Sequence, residues 1–490
     1  MSSVNANIAT YLGEKGYTIY KESISIQEQQ YIRNELKIKP YIPKSPIQHD
    51  AFPVYRESKY KFYVPRYFGI ETYGEPEEIR IQLGEDINVK FNGELRDFQV
   101  PIVQKFMESI NKNTGCGGGL IDVAVGLGKT CMGINIISRI QKKTLIIVHK
   151  SFLSNQWIER INEFLPGARI GIIQGQIIDI EDKDIVIGML QSLSMKEYPQ
   201  SMFSSFGLTI TDECHHIAAE TFSRALQKIV TPVMLGLSAT MQRKDGLTKV
   251  IKMFIGDVVY KMKRKGDDKV LVKSIDYVSN DADFNETKYD YRGNPAYSSM
   301  ISKLCDCNHR TEFILKVIKR ELEENSNQQI MILGQNKNIL IYLFKAIECR
   351  NIASVGYYVG GMKDADLKVS ETKKIVIATY AMASEGLDIK TLSTLLLITP
   401  RSDVIQSVGR ILRVKHERPL IIDIVDSHNV FQKQWAKRRI YYKKSNYKII
   451  HTNSNLYESN KWDIDYDPEL KIDKPIKTKE LPKGKCLISV

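Results

Sequence analysis

Cysteine, long apolar runs and acidic charge are all scarce in this chain of 490 residues. Its seven cysteines are scattered and odd in number. That argues against a secreted disulfide framework and for a reducing compartment. No uninterrupted apolar run reaches the roughly 18 residues a membrane-spanning helix needs. The start, Met1-Ser2-Ser3-Val4-Asn5, lacks a basic stretch leading into an apolar core, so no secretory signal is expected. Short repeats and low-complexity tracts are also missing. Carboxylates are outnumbered, 57 Asp+Glu against 70 Lys+Arg, for a formal charge of +13. A cationic excess favours polyanionic partners and gives no reason to expect a membrane. The hydrophobic fraction of 43% excludes general disorder. These limits describe a soluble intracellular protein, long enough for two to four domains.

Short apolar runs alternate with amphipathic stretches from about Leu95 onward. Residues 119–124, 144–148, 184–189, 208–211 and 233–237 read as buried strands. Met132, Ile136, Ile137 and Ile140 recur at helical spacing between the first two. The alternation weakens from about 262 to 300, after the charge run that starts at Lys261. It resumes at 329–333, 375–379 and 394–398, and the run 420–425 is expected to close a second sheet. Strands alternating with helices imply parallel sheets covered on both faces. The fold class expected is therefore α/β, with two tandem parallel-sheet domains. The boundaries read as an N-terminal accessory domain over 1–90, a first α/β domain over 91–262 and a connector over 263–305. A second α/β domain follows over 306–430, then a basic extension over 431–490. Within 1–90 the clearest element is Tyr60 to Tyr67, a strand ended by Pro65.

Gly126-Leu127-Gly128-Lys129-Thr130 lies between a buried strand and a helix. Glycines there let the backbone approach phosphates, and N–H groups at the helix start face their oxygens. Lys129 would reach the β- and γ-phosphates of ATP, and Thr130 would ligate Mg²⁺. The strict pattern wants glycine where Val123 stands, which leaves a glycine-rich turn before an ordinary helix as the bland alternative. Asp212-Glu213-Cys214-His215 follows another buried run, at the C-terminal edge of a strand where parallel sheets bind ligands. Asp212 suits Mg²⁺ and Glu213 suits orienting and deprotonating a water. An acidic surface turn is the alternative for each residue taken alone.

Together these segments resemble the superfamily 2 helicases, over about residues 91 to 426. That family often lacks the first glycine of the phosphate loop, which accounts for Val123. The resemblance implies two RecA-like domains. It also implies that Gln99, in Leu95-Arg96-Asp97-Phe98-Gln99, contacts adenine. Ser238-Ala239-Thr240 is similar to the motif that couples hydrolysis to movement, with His215 relaying the nucleotide state. Arg243-Lys244-Asp245-Gly246 is similar to the RxDG continuation of double-strand translocases, and Arg243 is a nucleic-acid candidate; Met241 departs from the usual proline. Glu385-Gly386-Leu387-Asp388 resembles motif V, which implies nucleotide contacts by Gly386 and Asp388. Gln406-Ser407-Val408-Gly409-Arg410-Ile411-Leu412-Arg413 resembles motif VI, with Gln406 coupling. Its arginines recur three apart, so on a helix they share a face. The family implies that Arg410 and Arg413 act as arginine fingers on the γ-phosphate. A basic amphipathic helix is the plain alternative.

Thr144 to Trp157 resembles motif Ia, where Lys150 is either a backbone contact or a solvated loop lysine. Gln191, in Gln191-Ser192-Leu193, and the strand end Gly334-Gln335-Asn336 are further nucleic-acid candidates. Cys305-Asp306-Cys307-Asn308-His309 has unsuitable spacing for zinc and no second ligand pair, and it overlaps an Asn-x-Arg helix start. The segment 431–490 holds 14 Lys/Arg and 7 Asp/Glu. Lys437 to Lys444 interleaves cations with tyrosines, which suits either phosphate contacts with stacking or a charged helix face.

Compact motifs and flanking regions resemble the helicases of large cytoplasmic DNA viruses, including the transcript-release helicase of poxviruses. The resemblance implies an ATP- and Mg²⁺-dependent DNA motor in viral transcription, with double-stranded DNA favoured over single strands and RNA as a further option. A transcription complex is an implied partner, and the host cytoplasm and virion are implied locations. A repair or branch-migration helicase is the nearest alternative. A non-catalytic nucleic-acid scaffold predicts loss of Lys129, Glu213 or Arg410, and all three are present. The motor of a restriction system would want a nuclease or methylase domain, for which the chain has little room.

Overall fold

A computed structural model of the protein describes residues 8–40, 50–213, 219–239, 248–263, 268–385 and 389–470. The chain divides into two units between residues 264 and 265. No helix among the described residues is long and apolar enough to cross a membrane.

The first unit is built on a sheet of eight strands among the described residues. Its main strands are β1 (Gly117–Val123), β2 (Thr144–Val148), β3 (Ile170–Gln174), β4 (Ile185–Met189), β5 (Leu208–Asp212), β6 (Val233–Ser238) and β7 (Val258–Met262). Their spatial order is β3-β4-β2-β5-β6-β1-β7, and all these pairings are parallel. The pair Ile177–Ile178 adds an antiparallel edge beside β3. Helices α1 (Lys129–Ile140) and α2 (Ser151–Phe164) follow β1 and β2. Successive strand residues point to opposite faces. Leu145 and Ile147 join one core while Ile146 and Val148 join the other. A sheet covered on both faces thus explains the near-continuous apolar runs.

The N-terminal residues share that core instead of forming a separate body. Their sheet of five short strands buries Tyr17, Ile19, Phe62 and Val64 in the same cluster as Leu120, Leu145 and Met234. The strand expected near Tyr60 runs over Lys61–Val64, and Pro65 caps the helix Arg66–Tyr73.

In the second unit the strands are β8 (Leu271–Tyr277), β9 (Gln329–Gly334), β10 (Val355–Tyr358), β11 (Ile375–Thr379), β12 (Leu392–Leu397), β13 (Leu420–Asp426), β14 (Lys448–Asn453) and β15 (Asp463–Tyr466). Their order is β10-β11-β9-β12-β13-β8-β14-β15, parallel except for the last pair. Three expectations are corrected by this order. Residues 271–277 are a central strand, not a connector, because Leu271–Tyr277 pairs with both β13 and β14. The run at 420–425 does not close the sheet, since three strands lie beyond β13. The segment after residue 430 is no appended tail up to Tyr466: α6, introduced below, and two strands complete the domain.

The helices that matter here are α3 (Asn308–Glu324), α4 (Tyr380–Glu385), α5 (Ile405–Ile411) and α6 (Asn429–Lys444). Two fully buried arginines tie α3 and α6 to β13. Arg310 donates to both oxygens of Asp426, at 2.6 and 2.9 Å, and to the Ile398 carbonyl at 2.8 Å. Arg438 donates to both oxygens of Asp423, at 2.7 and 2.8 Å, and the Tyr442 hydroxyl donates to the same carboxylate at 3.1 Å. Arg438 and Tyr442 are therefore core residues, so the reading of the Lys437–Lys444 segment as a stacking surface fails for both. Arg439 is also engaged, with Asp465.

Breaking one partner of a buried ion pair leaves the other charge uncompensated, at a cost of about 3–5 kcal/mol. Asp423→Ala should lower the denaturation midpoint of the second unit by that order. Truncation after Ser427 should abolish its cooperative unfolding transition, because β8 loses a paired neighbour.

Candidate nucleotide and nucleic-acid site

Parallel order puts the C-terminal ends of β4, β2, β5, β6 and β1 along one edge. The candidate residues of the first unit leave from those ends. Gln191 follows β4, Lys150 follows β2, Asp212 and Glu213 sit at β5, Ser238 and Ala239 at β6, and the phosphate loop follows β1. Sequence-distant motifs therefore become neighbours through the strand crossovers alone.

The loop between β1 and α1 turns on two left-handed glycines, Gly126 at φ 83° and Gly128 at φ 80°. A Cβ at Gly128 would stand 2.5 Å from Nε2 of Gln99, so space as well as φ requires glycine there. Gln99 is buried. Its Nε2 donates to the Leu127 carbonyl at 2.9 Å, and its Oε1 accepts from the Arg96 N–H at 2.9 Å. Its amide thus braces the phosphate loop directly, a role the adenine-reading expectation did not include. Thr130 is half-buried in the first turn of α1, whose first turn carries no acid.

Lys129 Nζ lies 3.2 Å from Oε1 of Glu213, with both side chains largely enclosed. Asp212, 6% exposed, has both oxygens occupied: Oδ2 accepts from Trp157 Nε1 at 2.9 Å and Oδ1 from the Glu213 N–H at 2.9 Å. Burial, reinforced by the Glu213 charge, pushes the Asp212 carboxyl up to about 6, against the opposing pull of Lys129 and Trp157. Glu213 takes a left-handed backbone, φ 47°, where the chain leaves the strand. Trp157 was quoted in the sequence for its neighbourhood, but its hold on Asp212 was missed. Its signal was an indole on the helix after β2, in a motif otherwise read for phosphate contacts. Asp122, near the end of β1, pairs with Lys261 of β7 at 3.1 Å.

The Gln191 amide donates to the His149 carbonyl at 2.9 Å and so joins the ends of β4 and β2. Lys150 begins α2, and burial lowers its ammonium below the usual value. Ser238 is fully buried and Ala239 half-buried. Thr240, Arg243 and His215 lie outside the described residues, as do Gly386 and Asp388.

In the second unit Arg410 is buried on α5, and its Nε donates to the Ala383 carbonyl of α4 at 2.7 Å. Motif VI thereby steadies the motif V helix. Gln406 is half-buried on the same helix. The shared-face expectation is corrected for Arg413: α5 ends at Ile411, so Arg413 stands two residues past it. Of the Cys305–His309 segment, the Cys305 thiol is pushed up to about 11 by burial, and Arg310 just beyond is the structural residue.

Residues 92–243 match the family model described as "Type III restriction enzyme, res subunit". The chain is 35% identical over 456 residues to an Acanthamoeba polyphaga mimivirus protein named as an ATP-dependent RNA helicase, covering 90% of this chain and 87% of the relative. It is 28% identical over 388 residues to a named helicase of Invertebrate iridescent virus 6, covering 74% and 85%. Among solved structures, S. cerevisiae Dbp5 bound to RNA and ADP BeF3 has the same fold. It aligns at a TM-score of 0.50 with 12% identity, over 73% of this chain and 90% of that one.

An acid raised by burial keeps its proton in the folded state up to a higher pH than in the unfolded state. The nucleotide-free protein thus gains stability from Asp212 below about pH 6 and loses that gain as pH rises through 6. Asp212→Asn should remove this dependence in melting curves taken from pH 5 to 8. Gly128→Ala should weaken ATP binding by at least tenfold in a titration, because the new methyl displaces Gln99 from the loop.

Proposed function

The chain belongs to the superfamily 2 helicases, alongside those of large DNA viruses, and from that premise we propose that it is a DNA-tracking motor in viral transcription. It is a nucleic-acid-dependent ATPase. The observation that carries the site assignment is the enclosed pairing of Lys129 with Glu213 beside buried Asp212. In our reading the pair is the resting arrangement. Lys129 exchanges Glu213 for the β- and γ-phosphates of ATP, and the released carboxylate orients and deprotonates the attacking water.

The donors suit Mg²⁺: a hydroxyl from Thr130 and a carboxylate from Asp212 are hard oxygen ligands. Bound there, Mg²⁺ would neutralise charge on the phosphates. Trp157 and the Glu213 N–H hold Asp212 in place for that task. Gln99 keeps the loop in register, with the adenine contact a further role. Gly126, Leu127 and Gly128 supply backbone to the phosphates, and Gly386 and Asp388 would add nucleotide contacts from the second unit. Arg410 and Arg413 are proposed to stabilise transition-state charge, with His215, Ser238, Ala239, Thr240 and Gln406 coupling hydrolysis to movement. Lys150, Gln191 and Arg243 are proposed to meet the nucleic-acid backbone, contacts that carry no sequence information.

The preference for DNA, double-stranded ahead of single-stranded, rests on the similarity of Arg243-Lys244-Asp245-Gly246 to double-strand translocases. Action beside a transcription complex, in elongation or transcript release within the host cytoplasm, rests on the resemblance to viral helicases. RNA is the second reading, favoured by the name of the mimivirus relative. DNA repair or branch migration is the alternative role for a DNA motor.

ATP turnover should rise severalfold with duplex DNA and less with single-stranded DNA or RNA. Stimulation by RNA alone would overturn the DNA reading. Lys129→Ala should reduce stimulated turnover to background, and normal turnover would overturn the site assignment.

A further inference from the structure

The N-terminal sheet has two unlike faces. One carries Tyr17, Ile19, Phe62 and Val64 into the core of the first unit. The other is lined by tyrosines and cations. Register sets this pattern: Tyr11 is opposite Thr18, Thr18 is opposite Tyr63, and Tyr20 is opposite Lys61. Residues directly opposite on paired strands share a face.

The ring of Tyr11 lies against Gly13, where a Cβ would stand 2.8 Å from Cε2. The Arg80 guanidinium lies 4.1 Å from the Tyr11 centroid, and its side chain is 44% exposed. Lys61 Nζ sits 4.5 Å from the Tyr20 centroid and donates to the Tyr11 hydroxyl at 3.2 Å. Lys15 lies 5.3 Å from the Tyr63 centroid. Arg80 also pairs with Glu78, an exposed acid on the neighbouring strand. Hydrogen bonds from Arg80 and Lys61 hold the Tyr20 hydroxyl below its ordinary value.

This face leads toward the motif edge. Arg56, opposite Tyr63, donates to the Gln227 carbonyl and lines an open cleft of about 540 Å³. Arg224, Lys228, Glu197 and Met195 line the same cleft. Met195 is 80% exposed and ends the helix that carries Gln191. Cations and planar groups thus run from the Gln191 helix through Arg56 to Arg80.

We propose that this face binds a single-stranded polynucleotide, with bases stacked on the Arg80–Tyr11 pair and phosphates held by Lys61 and Lys15. Duplexes hide their base faces, whereas unpaired bases stack on aromatic rings and guanidinium planes. The site extends the motor reading but is measured apart from it, because binding is assayed without nucleotide.

The test uses the full chain and fluorescent oligo(dT), oligo(U) and mixed-sequence duplex, each of about twenty units, enough to span a site of 4–16 nucleotides. The double variant Lys61→Met with Arg80→Met should bind the single strands at least tenfold more weakly. Its slope of log affinity against log salt should fall by about 1.4, or roughly 0.7 per lost phosphate contact. Duplex affinity and ATP turnover without nucleic acid should stay within about twofold. Should the double variant fold poorly, the parent protein offers a second reading, since oligo(dT) or oligo(U) should shield Lys61 from amine acylation. A weakening confined to one of the two single strands supports the site and identifies its sugar. Unchanged single-strand binding, an equal loss for duplex, or no shielding of Lys61 would overturn the proposal.

Discussion

Two carboxylates and one ammonium at the end of a central strand set the terms for the first unit. Asp212 and Glu213 are adjacent, and Asp212 is deeply buried. Burial disfavours its charge, and its neighbour disfavours it further. The arrangement holds because Trp157 and a backbone N–H satisfy Asp212 while Lys129 balances Glu213. Each of those partners comes from a different element: a helix after β2, the turn after β5 and the helix after β1. The parallel sheet exists, from the site's standpoint, to bring those three ends to one edge. A cation already countered by an acid that can turn to water activation is a resting state for phosphate capture.

The second unit handles charge differently. Arg310 and Arg438 are buried against Asp426 and Asp423 of one strand. These pairs orient α3 and α6 on the sheet and take no part in the chemistry proposed. Arg410 is intermediate between the two uses: buried on α5, it holds the α4 backbone and is also the residue that motif VI assigns to transition-state charge.

The apolar runs revealed the sheets because parallel strands are buried on both faces, and Lys129, Asp212 and Glu213 were legible because local motifs carry their chemistry. What escaped notice depended on partners distant in sequence. Tyr442 and Arg438 look like a nucleic-acid surface until Asp423, on another strand, is placed beneath them. Leu271–Tyr277 follows a charge run that reads as a connector, and its pairing partners lie about 150 and 177 residues away. Gln99 reads as a ligand contact because the Leu127 carbonyl it meets has no side-chain signature. The N-terminal tyrosines acquire meaning from register, which composition does not encode.

The central claim is that Lys129 rests on Glu213 and leaves it for phosphate while Glu213 serves the attacking water. Glu213→Gln tests both halves at once, measured as ATP affinity and single-turnover hydrolysis on the same protein. The account predicts affinity equal to or tighter than the parent's, since Lys129 no longer has an ion pair to break. It also predicts hydrolysis slower by about 10²–10⁴-fold, the scale of a lost general base. Hydrolysis near the parent rate, or loss of ATP binding in a protein that still melts normally, would contradict it.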